Sequence, residues 1–101
     1  DEGLQWLSAL GNAPDYKVTT SAKTYVQAGV GIPPMIGVVR GSANRQAIEQ
    51  AFLDQLTAAG IAATKIDARG LTHGQVNTLI GAPGDTRMTP PITAFLDTCF
   101  A

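Results

Sequence analysis

The sequence predicts an α/β fold centred on a βαβ unit over residues 35–67, and three observations lead there. A continuous apolar run, Met35-Ile36-Gly37-Val38-Val39, follows Pro34; residues 45–59 repeat apolar side chains at helical spacing; and a second short segment, residues 61–67, stops at Ala68-Arg69-Gly70. Strand, helix and strand in that order make the two strands parallel and the connection between them a right-handed crossover. At 101 residues the chain is a single segment, one domain at most, burying roughly 60–70% of the surface that its unfolded form exposes.

Taken in order, the elements follow from local chemistry. Leu4, Leu7 and Leu10 lie three apart with Trp6 beside them and Gly11 at the place of a C-terminal glycine, so residues 2–10 read as the end of a helix. Residues 12–24 are polar and aperiodic, a loop with a helical turn near Tyr25. Residues 29–34 carry turn chemistry, and Gly29-Val30-Gly31 lacks the third glycine and the following helix of a dinucleotide fingerprint. The run from Met35 to Val39 is apolar throughout, which suits a strand covered on both faces. Ser42 or Asn44 is placed to cap the next helix, in which Ile48, Phe52, Leu56 and Ala59 form a stripe that Ala47 and Ala51 widen and Gly60 ends. Trp6 and Phe52 are expected in the core. In the second strand Ile61, Ala63 and Ile66 are apolar. A long loop then carries His73 and Gly81-Ala82-Pro83-Gly84-Asp85. Thr89-Pro90-Pro91 opens a last helix as cap and first-turn prolines, with Ile92, Phe95, Leu96 and Cys99 on one face and Cys99 expected as a buried small hydrophobe.

Composition excludes several classes. The hydrophobic fraction is 45%, charged residues are 15% and the net charge is −1, which disfavours nucleic acid as a partner and is unlike a disordered tail. A single cysteine closes no intrachain disulfide and builds no cysteine-rich metal site, so neither metal nor cofactor is expected. No apolar run approaches the ~18 residues of a membrane span. The chain starts at Asp1 rather than Met, which suggests either processing or an artificial chain boundary. Its poverty in charge is compatible with a secreted or periplasmic location.

Two legible strands are too few. A two-stranded sheet is marginal in water, and the first strand carries no charge before Arg40, the opposite of a protected edge. The expectation is a larger sheet: either the first 30 residues hold strands that their pattern does not reveal or, the explanation favoured here, another chain completes it by pairing along Met35 to Val39.

Thr24-Tyr25-Val26, Ile32-Pro33-Pro34 before a buried strand, Gly41-Ser42-Ala43-Asn44, a long amphipathic helix ending at Ala59-Gly60, a strand, and Gly70-Leu71-Thr72-His73-Gly74 together resemble the C-terminal third of an α/β-hydrolase, of the hormone-sensitive-lipase or feruloyl-esterase kind. The similarity spans Tyr16 to Phe100. It implies that the two strands are the penultimate and last of the hydrolase sheet, and that His73 is the catalytic histidine, general base and acid of a Ser-His-acid mechanism. It also implies an aspartate in the turn after the penultimate strand, where this chain has Asn44. An Asn orients an imidazole without offsetting its positive charge. Glu49, a full turn into the helix, suits a solvated face better than the acid's role. No serine among Ser8, Ser21 and Ser42 has the two flanking glycines of a nucleophile elbow. The chain is therefore expected to be the smaller piece of a nicked or processed carboxylic ester hydrolase, a heterodimer whose larger chain supplies serine and oxyanion donors and most of the pocket for a small-molecule or polymer ester. Two alternatives stand beside this one: a hydrolase-like scaffold without catalysis, serving binding or structure, and a small independent βαβ domain with a ligand or regulatory role.

Overall fold

The computed structural model describes Asp15, Val18 and residues 21–101. The helix expected at residues 2–10, with Trp6, Ser8 and Gly11, lies outside the described residues.

A 3-10 turn, Ala22–Tyr25, leads through the Gly/Pro segment to strand β1, Met35–Val39. Helix α1, Ala43–Ala58, crosses to strand β2, Ala63–Asp67, and the chain ends in the short helix α2, His73–Thr78, and helix α3, Thr89–Cys99. The two strands pair in parallel, Met35 opposite Ala63 through Val39 opposite Asp67. The expected βαβ unit is present, with the second strand beginning two residues later than Ile61. Ile61 belongs instead to the helix exit: its N–H donates to Leu56 O at 3.0 Å and that of Gly60 to Thr57 O at 3.0 Å, while Gly60 takes φ 79°. This double bond pattern closes the last carbonyls of α1 and needs a residue free of the left-handed penalty, hence the glycine.

The strands are covered on both faces, because alternate side chains point to opposite sides. One cluster joins Val39, Met35 and Ala63 to Leu53 and Leu56 of α1, with Val26, Ile32, Phe52 and Ile61 around them. The other joins Ile36, Val38 and Ile66 to Ala68, Met88, Val76, Leu79 and Ile92 from α2, α3 and their approaches. Helix, sheet and helices thus form three layers. Gly37 is where α1 comes closest: a Cβ there would lie 2.8 Å from Leu53 Cδ2.

Three expectations about helix faces are corrected. Of the stripe expected on α1, Leu56 is fully buried and Phe52, half-buried, packs against the same cluster, but Leu53 joins them from outside the stripe and Ile48 is 60% exposed. Ile48, together with Phe52, lines a groove of about 550 Å³ between α1 and the 3-10 turn, where Gln55 Nε2 donates to Lys23 O at 2.8 Å. The reason is that the side of α1 facing a sheet of two strands is narrow, and Leu53 and Leu56 fill it. In α3 only the first turn overlies the sheet: Ile92 packs, Leu96 is exposed, and Cys99, expected buried, is exposed. Thr89 is not the cap of α3 but its first helical residue. The Asp85 carboxylate does the capping, accepting from Met88 N at 3.0 Å, Thr89 N at 2.6 Å and Thr89 Oγ1 at 2.8 Å. No helix among the described residues is long and apolar enough to cross a membrane.

Among the described residues, no strand pairs with the outer side of β1. Met35 N donates to Ala62 O at 2.9 Å and Val39 O accepts from Ala68 N at 3.0 Å, so residues 35, 37 and 39 bond toward β2. The backbone groups of Ile36 and Val38, of the opposite parity, point away from it. Arg40, next of that parity, donates its N–H to Glu49 Oε2 at 3.0 Å. Glu49 is thus half-buried against the strand exit rather than on a solvated face. A groove of about 200 Å³ runs along this edge between Ile36, Val38, Glu49 and Phe52.

The two faces of α1 separate in stability. Leu56→Ala, at a fully buried site, is expected to cost about 2–5 kcal/mol in denaturant unfolding. Ile48→Ala is expected to stay within about 0.5 kcal/mol of the parent; equal losses at the two positions would contradict the packing.

Candidate active site

Parallel strands carry their C-terminal ends to one edge of the sheet, and both residues singled out by sequence sit there. Leaving β1, the chain passes Arg40 and Gly41 to Ser42, whose Oγ accepts from Arg45 N at 3.3 Å and caps α1. Ser42 is therefore the cap, and Asn44 is the second residue of the helix, exposed. Leaving β2, the buried Ala68 is followed by a turn in which Leu71 N donates to Ala68 O at 3.1 Å. Thr72 then opens α2 with a capping box: its Oγ1 accepts from Gln75 N at 3.1 Å, and its N–H donates to Gln75 Oε1 at 2.8 Å. His73 is the first residue of that helix, not part of a long loop, and its side chain is exposed with no hydrogen bond among the described residues. Asn44 and His73 occupy the same edge without bonding to each other.

Side chains that sequence reading overlooked hold the two exits. Arg40 Nε donates to Leu71 O at 3.3 Å, joining the turn after β1 to the turn before His73. From the other side Arg87 Nη2 donates to Asp67 O and Arg69 O, each at 3.0 Å. The signals were legible in part. Thr-x-x-Gln is a capping-box pattern, and an Asp four residues before Thr89 suits a helix start; the long reach of the arginines has no local signature.

The carboxylates near this edge are engaged elsewhere. Asp67 takes Arg69 in a two-pronged pair, Nε to Oδ1 at 2.8 Å and Nη2 to Oδ2 at 2.6 Å, and these bonds hold its carboxyl well below the usual range. Both partners are exposed, so the pair adds little stability. The Asp85 carboxyl is lowered to about 2, first by the backbone N–H of Arg87; desolvation opposes this, and the bonds from Thr89 and Met88 add to the lowering. Glu49 holds Arg40 N. Chemically the edge offers one free imidazole and one amide, and no group of three or more metal-ligating residues occurs among the described residues.

Compared with known proteins, the chain matches no family model, no curated protein and no solved structure.

Because the folded Asp85 carboxyl titrates below its ordinary value of 3.8, its stabilising bonds are fully present above that pH and are lost as pH falls toward about 2. Thermal melts are expected to show Asp85→Asn lowering Tm at pH 7, with the gap to the parent closing by pH 2. A gap that stays constant across this window would contradict the capping role.

Proposed function

We propose that this chain is the C-terminal part of an α/β-hydrolase-like sheet and takes part in carboxylic ester hydrolysis, with His73 as general base and acid. The observation that carries the reading is the placement of an exposed, unbonded imidazole at the opening of α2, directly after the exit of β2 and on the same edge as the Asn44 turn after β1. The open side of β1 supports further strands beside it, supplied by a larger chain that also brings the serine and the oxyanion donors.

In such a site the His73 imidazole takes the proton of the serine hydroxyl as the oxygen attacks the ester carbonyl, then returns it to the departing alcohol; water repeats the cycle on the acyl intermediate. Asn44 would hold the imidazole's second nitrogen and leave its charge unbalanced. A second reading, a scaffold of the same fold without catalysis, is favoured by that Asn together with the engagement of Asp67, Asp85 and Glu49.

An active-site serine phosphonate is expected to label a serine outside these 101 residues in the assembled protein. His73→Ala is expected to lower hydrolysis by at least roughly a thousandfold. Absence of labelling would favour the inactive scaffold, and a folded, lone monomer of 10.5 kDa would contradict the completed sheet. Asn44→Asp is expected to raise kcat by roughly tenfold or more, if the amide stands where the acid belongs. An unchanged kcat in that variant would place the acid elsewhere.

A further inference from the structure

The segment between Asp67 and His73 is held from two sides, and the holding groups come from distant parts of the chain. Arg40 is half-buried, its backbone fixed by Glu49 Oε2 at 3.0 Å, and its Nε meets Leu71 O at 3.3 Å, two residues before His73. Arg87 comes from the approach to α3, where Asp85 accepts its N–H at 2.9 Å, and one nitrogen of its guanidinium bridges the carbonyls of Asp67 and Arg69 at 3.0 Å each. Within the segment itself the fixed points are Ala68 N on Val39 O at 3.0 Å, the Leu71-to-Ala68 turn and the Leu71 side chain in the core. Neither arginine donates to a carboxylate in these contacts. Both donate to backbone oxygens, Arg40 through Nε to one carbonyl and Arg87 through Nη2 to two, so the segment is fixed at three points.

We propose that Arg40 and Arg87 are positioning residues, a two-sided clamp that sets where the imidazole of His73 stands at the sheet edge. The proposal rests on the catalytic reading of His73. A helix of six residues opening at His73 has too little hydrogen bonding to hold its own orientation, so the direction in which α2 sets out is decided by the turn that precedes it. Misplacement of a catalytic base by about an ångström lowers the rate by roughly a hundredfold, which is the scale on which such a clamp acts.

The experiment compares Arg40→Met, Arg87→Met and Arg87→Lys in the assembled protein, measuring kcat and KM for a chromogenic ester, Tm, and amide exchange at Leu71, Thr72 and His73. The Met variants are expected to lose roughly tenfold to a hundredfold in kcat with KM changed by no more than about twofold. Exchange at the three amides should rise while Tm holds, and Arg87→Lys, which restores a cationic donor, should recover part of kcat. His73→Ala serves as the reference. If it abolishes hydrolysis while both Met variants keep the parental kcat and amide exchange, the clamp is overturned and the catalytic reading stands. If the parent protein hydrolyses no ester, the catalytic reading is overturned and the positioning role goes with it.

Discussion

Parallel pairing of β1 with β2 is the constraint from which the remaining features follow. Two parallel neighbours cannot be joined by a tight turn, so the chain must cross over through α1, and both strands then end on the same side of the sheet. That single consequence brings the turn holding Asn44 and the turn leading to His73 together, although 29 positions of sequence separate the two residues. The same pairing uses the backbone of residues 35, 37 and 39 and leaves that of Ile36 and Val38 facing outward. Glu49 accepts the next outward N–H, that of Arg40, and so limits any added strand to the length of β1.

How far the sequence revealed this depended on how local each signal was. β1 was legible to the residue, since five apolar residues between Pro34 and Arg40 have few other uses. The body of α1, its Gly60 stop and the Ser42 cap were readable from spacing and capping chemistry. The buried face of α1 was legible in part: Leu56 and Phe52 pack as their spacing implies, but Leu53 replaces Ile48, because these four residues offer two overlapping apolar stripes and only the packed sheet selects between them. Helix α2 escaped notice because six residues including Gly74 and Asn77 show weak propensity and little periodicity; its capping box was the one available sign. The burial expected of Cys99 failed for a tertiary reason: of the α3 stripe only Ile92 packs against a buried cluster, and Leu96 and Cys99 are exposed.

The candidate site was legible as residue types and positions, and the sheet edge on which His73 and Asn44 sit follows from topology. Its supports were not legible. Arg87 reaches back 20 positions to Asp67 O, and Arg40 reaches forward 31 to Leu71 O. These contacts hold the segment between β2 and His73 from both sides. Among the described residues, the carboxylates near this edge are all engaged. Asp67, Asp85 and Glu49 each serve structure, and Asn44 stands where the resemblance to α/β-hydrolases implies an acid.

The central claim is that β1 is an interior strand in the working protein. Amide hydrogen exchange of the protein as isolated, resolved residue by residue along β1, tests this most directly. The account predicts that Ile36 and Val38 are protected to the same degree as Gly37 and Val39, since a neighbouring strand would accept their N–H groups. Rapid exchange at Ile36 and Val38 beside slow exchange at Gly37 and Val39 would identify β1 as a true edge and contradict the completed sheet.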